Sequence, residues 1–295
     1  MLSVGEEIRH RTFPHNVALE ELPIAGPDQL PAIDLLGARL NRVTERQCVD
    51  MVMHELAGGR GGTVFTMNLE HLRRLKRDRS YSGRYREASI VTADGMPLVW
   101  ASRLQGTPLP ERVTGSSLIW TLTAAAAENQ RSVYFLGGSP GAAQKAAEVL
   151  SERYPGLRVA GVDSGPSNFQ DRDDELTTIR AQLADAKPDI VYVALGCPKE
   201  EQLIARLRDA LPGCWLLGVG ASFSFVSGEI PRAPLWMQRS GLEWFYRLAH
   251  EPKRLVRRYL VHGLPFVGLL LSRVALRRFT HPQRRSHYRP VVRQN

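Results

Sequence analysis

Four short stretches of the chain hold residue types that can do chemistry on a sugar or a phosphate. Residues 90–97 (IVTADGMP) end an apolar run on a carboxylate, Asp94, followed by Gly95 and a proline. A carboxylate there either takes a proton from a reacting hydroxyl or caps a helix starting near Met96. Thr66-Met67-Asn68 supplies a hydroxyl and an amide that orient a sugar or phosphate, or again a cap. Residues 136–141 (LGGSPG) form a glycine turn opening a helix, in which Gly137 and Gly138 can turn backbone N–H groups toward a phosphate. The turn is neither GxGxxG nor a Walker loop, so a structural role is the alternative. Residues 196–201 (GCPKEE) place Gly196 and Pro198 at a helix start and Lys199 in its first turn, against the helix dipole, where an anion would account for it. Cys197 has no evident His and acid partners for a nucleophile, Asp171-Arg172-Asp173 falls at a helix start where acids are expected, and His71 reads as structural.

The elements that must carry these clusters alternate. Residues 32–40 read as a strand and turn, Thr44 as the N-cap of a helix over 45–56, 63–67 as a strand and 69–79 as a basic amphipathic helix. Strands over 88–92, 132–136, 157–162, 189–195 and 214–219 then alternate with helices over 96–104, 116–129, 140–154, 173–186 and 198–211. This is the βαβ pattern of an α/β protein with a largely parallel, Rossmann-like sheet, and it delivers all four clusters to the carboxyl edge where ligands bind.

A chain of 295 residues, 43% hydrophobic and 23% charged, can bury a large core, and three separated cysteines indicate neither a disulfide framework nor a zinc site. The net charge of +9 is unevenly placed: residues 247–295 carry +11 and the first 246 carry −2. A basic block of that kind suits a phospholipid surface or nucleic acid. A helix is expected over 236–249; Pro252 then interrupts, and 253–279 mixes apolar residues with arginines as an interfacial helix does, a core-packing helix pair being the alternative. The most apolar run, 264–276, contains Arg273 and falls short of the roughly 18–20 residues a spanning helix needs, so the chain is expected to lie on a membrane rather than cross it. The first sixteen residues show no signal-peptide apolar region. The expected division is an N-terminal extension (1–31), an α/β core (32–246), a basic membrane-associating helical appendage (247–280) and a disordered basic tail (281–295).

In order along the chain, TMNLEH (66–71), ADGMPLVW (93–100), ERVTGSSL (111–118), YFLGG (134–138), LGCPKEE (195–201), GVGASF (218–223) and RAPLWMQRSGLEWFYRL (232–248) resemble the WecG/TagA/CpsF family of bacterial glycosyltransferases. The resemblance implies transfer of N-acetylmannosamine or another hexose from a UDP-sugar to an undecaprenyl-diphosphate-linked sugar, with inversion and with neither a cofactor nor an obligatory metal. It implies Asp94 as base beside Thr66 and Asn68, and substrate contacts from Gly95, Arg112, Gly137, Gly138, Gly196, Lys199, Glu200 and Arg232. Arg247, Arg254 and Arg257 match appendage arginines thought to fold over the pocket. The implied partners are the UDP-sugar donor, the polyprenyl-diphosphate-linked sugar acceptor and an anionic membrane surface, with no nucleic acid and with a homo-oligomer possible. The implied location is cytoplasmic, peripheral on the inner face of the bacterial plasma membrane. Ser117, Glu200 and Ser224 stand where the family usually has Asp, Gln and Asp, and near a sugar such changes bear on which hexose is used. The rival classes are a nucleotide-dependent oxidoreductase, which this glycine turn does not fit, and a non-catalytic membrane or nucleic-acid binder.

Overall fold

The computed structural model describes residues 26–165 and 172–280. Most of the N-terminal extension, Asp171 and the basic tail therefore lie outside the described residues. The expected first strand is a hairpin, β1 (Ala32–Leu35) and β2 (Ala38–Asn41), whose turn holds Leu36 and Gly37 at positive φ. Asn41 Oδ1 accepts the Val91 N–H at 2.8 Å and so ties the hairpin to the main sheet. Thr44 caps α1 (Glu45–Ala57) in a reciprocal box with Gln47, as its sequence position predicts.

Six strands, β3 (Gly62–Met67), β4 (Ile90–Ala93), β5 (Ser132–Gly137), β6 (Arg158–Asp163), β7 (Ile190–Ala194) and β8 (Trp215–Gly218), form a wholly parallel sheet in the order β4-β3-β8-β7-β5-β6. Between and after them run α2 (Leu69–Leu75), α3 (Arg79–Glu87), α4 (Met96–Gln105), α5 (Gly115–Glu128), α6 (Ala142–Arg153), α7 (Asp173–Ala186), α8 (Lys199–Leu207) and α9 (Ser222–Val226). All but β6 are buried along their whole length, which is why they read as unbroken apolar runs. Alternate residues of each strand feed two cores. Phe65, Met67, Val91 and Val193 pack with Leu72, Leu98 and Leu203 on one face, while Val64, Ile90, Phe135 and Trp215 pack with Val52, Leu122 and Ala146 on the other.

Two single helices expected from the sequence are each divided. The helix over 69–79 stops at Leu75 and restarts at Arg79, where Asp78 Oδ1 accepts the Tyr81 N–H at 3.0 Å. The helix over 236–249 becomes α10 (Leu235–Ser240) and α11 (Glu243–His250), separated by Gly241 at φ +79°. A Cβ at Gly241 would stand 2.7 Å from Met96 Cγ, so this turn needs both the left-handed backbone and the missing side chain. The helical run is interrupted at Glu251, as Pro252 predicts, and Pro252 then opens the next helix: α12 (Pro252–Val256) leads through a π-helical turn (Arg257–Gly263) into α13 (Leu264–Thr280).

The π turn extends the apolar helix upstream of 264. Residues Tyr259–Leu276 make 18 helical residues of mean hydropathy 1.5, long and apolar enough to cross a membrane by length and composition, which corrects the shorter stretch read from the sequence. Leu270 and Val274 nevertheless lie fully buried in the core that contains Leu98 and Ala101 of α4. Val256, Leu260, Val261, Leu264, Leu269 and Leu276 are exposed.

Candidate active site

Because the strands are parallel, Asn68, Asp94, Gly138, Gly196 and Gly220 all follow strand carboxyl ends on one edge of the sheet. A cavity of about 370 Å³ opens beyond β3 and β4. Its floor is Asn68, Asp94 and Gly95; its wall is Glu70 and Arg73 of α2, Met96 and Trp100 of α4, and Arg112; its roof is Glu243, Trp244, Arg247, Tyr259, His262 and Leu264.

Asp94 leaves β4 with its N–H donated to Met67 O at 2.7 Å. The N-cap of α4 is Gly95, with no side-chain cap bond, so the capping alternative for Asp94 is not what the fold uses. Three carboxylates line the cavity. Glu70 pairs with Arg73 through two bonds of 2.9 and 3.1 Å, and Glu243 pairs with Arg112 at 3.0 Å. Asp94 alone of the three has no ion-pair partner within 4.0 Å among the described residues. Burial pushes its carboxyl up from 3.8 to about 6; Arg112, Arg247 and Arg232 draw it down again and Glu243 raises it further. An unpaired carboxylate that ionises just below neutrality suits proton transfer from a substrate hydroxyl.

Asn68 caps α2, its Oδ1 accepting the N–H groups of Glu70 (2.9 Å) and His71 (3.4 Å), while its own N–H donates to His71 Nδ1 at 2.9 Å. That acceptor role leaves the His71 proton on Nε2, which faces Glu201 Oε1 at 3.4 Å. Glu201 Oε1 also accepts from the hydroxyls of Tyr81 (2.7 Å) and Tyr85 (3.1 Å). A buried chain thus joins the end of β3 to α8. His71, Cys197 and Glu201 bring one ligand atom each within 4.8 Å of one another, but Nε2 is the protonated nitrogen, so hydrogen bonding rather than metal ligation describes the cluster. Burial, with Glu201 nearby, pushes the Cys197 thiol up to about 12, which removes it as a nucleophile.

Of the residues singled out in the sequence, Asp94, Asn68, Gly95, Arg112 and Arg247 come together around the cavity. The Arg247 guanidinium also stands over the Phe225 ring, 5.2 Å from its centre, and anchors α11 to α9. Arg232 donates to Ser116 Oγ at 3.3 Å and acts on Asp94 through its charge. Thr66 is buried within β3 on the face opposite Met67 and does not line the cavity. Gly137, Gly138, Gly196, Lys199 and Glu200 follow β5 and β7, roughly 10–15 Å along the edge from β3 at the usual strand spacing. The Gly138 N–H is donated to Ala194 O at 2.7 Å, so it is not presented to a phosphate. Arg257 is exposed outside the cavity, and the Arg254 side chain lies outside the described ones.

Glu200 is a clamp: Oε2 accepts the N–H groups of Gly196 (3.1 Å) and Gly220 (2.9 Å), stapling the loop after β7 to the loop after β8. Burial, then the adjacent Glu201 charge, raises its carboxyl above the ordinary range. Glu200→Ala strands two buried N–H groups and should cost about 2–4 kcal/mol, whereas Glu200→Gln keeps an acceptor and should cost under about 1 kcal/mol. Thermal unfolding of the two variants checks this.

Among the cavity residues not singled out from the sequence are Glu70, Arg73, Met96, Trp100, Glu243, Trp244, Tyr259 and His262. Met96 and Trp100 were available as one face of α4, four residues apart. Glu243 had no local signal, because its partner Arg112 lies 131 residues earlier.

A parallel α/β sheet whose carboxyl edge holds an unpaired carboxylate with arginine charge around it fits an enzyme that transfers a group from an anionic leaving group. The chain belongs to the glycosyl transferase WecG/TagA/CpsF family, whose profile matches residues 33–280. It is 34% identical over 197 residues to a Bacillus subtilis (strain 168) protein named N-acetylglucosaminyldiphosphoundecaprenol N-acetyl-beta-D-mannosaminyltransferase, covering 67% of this chain and 75% of that one. A protein of the same name from Bacillus spizizenii is 31% identical over 195 residues (66% and 74%), and one from Staphylococcus aureus (strain MW2) is 29% identical over 227 residues (76% and 87%).

Proposed function

We propose that this enzyme moves N-acetylmannosamine or another hexose from a UDP-sugar to an undecaprenyl-diphosphate-linked sugar, in the synthesis of a cell-surface or exported polysaccharide. Asp94 accepts the proton of the acceptor hydroxyl, and the freed oxygen attacks the anomeric carbon. The bond to the donor's diphosphate breaks, and UDP leaves with the bonding electrons from the opposite side. Arg247, with Arg112 and Arg232 nearby, supplies positive charge for that leaving group, so the scheme needs no metal ion. The observation that carries the reading is the unpaired Asp94 beside two ion-paired glutamates.

Asn68 faces the cavity beside Asp94, and Thr66 pairs across the sheet with Thr92, two residues before Asp94. The donor nucleotide is placed over the Rossmann-like β5–β7 edge, where Gly137, Gly138, Gly196 and Lys199 sit. The acceptor enters beneath the basic amphipathic C-terminal helices, with the enzyme peripheral on the cytoplasmic face of the plasma membrane. Ser117 and Ser224 mark where the hexose can differ from that of the relatives.

A panel of UDP-sugars with lipid-diphosphate-linked N-acetylglucosamine or glucose, read by mass spectrometry, should give a single preferred lipid-linked disaccharide; no product from any pair overturns the assignment. With Asp94 titrating at about 6, kcat/KM should fall as pH drops through 6, because protonated Asp94 accepts no proton. Arg112→Gln removes a cation and frees Glu243, so it should move that acid limb up by about one unit. A pH profile of wild type and variant checks the sign.

A further inference from the structure

We propose that residues 75–86 form a headgroup site for anionic phospholipid that holds the apolar helix Tyr259–Leu276 flat against the bilayer, an inference that rests on the membrane-associated reading above. Between Arg73 and Arg86 the sequence holds seven Lys and Arg and one acid, within a region of the chain that is otherwise rich in acids. Where α2 ends and α3 begins, a cleft of about 490 Å³ is lined by Lys76, Arg77, Asp78, Arg79, Ser82 and Arg86. The single acid, Asp78, also lines the cleft and is engaged as a helix cap, its Oδ1 accepting the Tyr81 N–H. Lys76, Arg77, Arg79 and Arg86 are exposed, and no ion pair involves Arg77, Arg79 or Arg86 among the described residues.

Three hydrogen bonds fix where this charge stands. Lys76 Nζ donates to Leu36 O in the hairpin turn, Gln105 Nε2 donates to Asp34 O of the same hairpin at 2.8 Å, and Arg278 Nη1 donates to Leu104 O at 3.1 Å. The cleft, the hairpin, the end of α4 and the end of α13 are therefore neighbours. Arg273 and Arg278 of α13 are exposed there as well, close to exposed Leu276. An apolar strip collared by cations at one end matches an interface in which acyl chains meet phosphates. A nucleic acid would satisfy the cations but offers the exposed leucines and valines nothing, so the structure assigns the cleft to lipid.

The test uses the full-length chain with Arg77→Gln, Arg79→Gln and Arg86→Gln combined, and separately Arg77→Glu. Sedimentation with vesicles of phosphatidylcholine, and of phosphatidylcholine mixed with phosphatidylglycerol, is measured without substrate. Each cation near an anionic surface is worth about fivefold in partitioning, so the triple variant should bind the phosphatidylglycerol vesicles at least about tenfold more weakly. Binding to phosphatidylcholine alone should be unchanged, with melting temperatures within about 2 °C of wild type as on other surface substitutions. Wild-type binding to phosphatidylglycerol by both variants overturns the proposal, as does a loss confined to duplex DNA binding. Wild-type chain that ignores all vesicles would overturn the membrane reading itself, while transfer to lipid-linked acceptor, assayed separately, reports on the transferase reading alone.

Discussion

Asp94→Asn should lower kcat by roughly 10³- to 10⁴-fold while making the protein more stable at neutral pH. Both effects come from one fact: an unpaired carboxylate sits at the end of β4 in a partly buried cavity that raises its pKa to about 6. The amide keeps the shape and accepts no proton. Ionised Asp94 costs the fold on the order of 1–3 kcal/mol, a figure that water in the cavity reduces, and the amide does not carry that cost. The sign follows from proton binding. Asp94 holds its proton more tightly in the folded than in the unfolded chain, so stability falls as pH rises from about 4 to about 6, and the advantage of the variant should open over that window and persist above it. A capping residue would behave oppositely, since Asn is as good an N-cap as Asp and activity would survive. Turnover by mass spectrometry and thermal unfolding at pH 4 and pH 7.5 separate the two.

Arg247→Ala should lower kcat/KM by roughly 10²- to 10³-fold. Its guanidinium lines the cavity, acts on Asp94 through its charge, and stands on the Phe225 ring, so charge and roof position depend on the same side chain. Lysine restores the charge without the planar stacking group. Arg247→Lys should therefore recover only part of the loss, with most of the deficit in kcat if the arginine acts on the departing diphosphate. An equal loss confined to KM would make Arg247 a uniform binding residue instead.

The sheet was readable because all its strands but β6 are buried along their whole length as apolar runs, and Asp173–Ala186 falls where the sequence places a helix. Asp94 was readable for the same reason, as a carboxylate where an apolar run ends. The roof was not. A break at Gly241 depends on its fit against Met96, a residue far earlier in the chain. Arg254 and Arg257 were singled out by matching the family's appendage arginines, whereas across the wider π turn at Arg257–Gly263 it is Tyr259 and His262 that line the cavity. Glu200 was singled out through the family resemblance, where it replaces Gln; its reach to two backbone N–H groups on different loops appears only when β7 and β8 are neighbours.

A single displacement driven by one carboxylate base inverts the anomeric centre, and that is the most direct consequence of the site described here. The configuration of the new glycosidic bond, determined by NMR on the product that the wild-type enzyme forms from its preferred α-linked UDP-sugar, should be β. An α product would require a covalent glycosyl intermediate or a second nucleophile, and would contradict the assignment of Asp94 as the base.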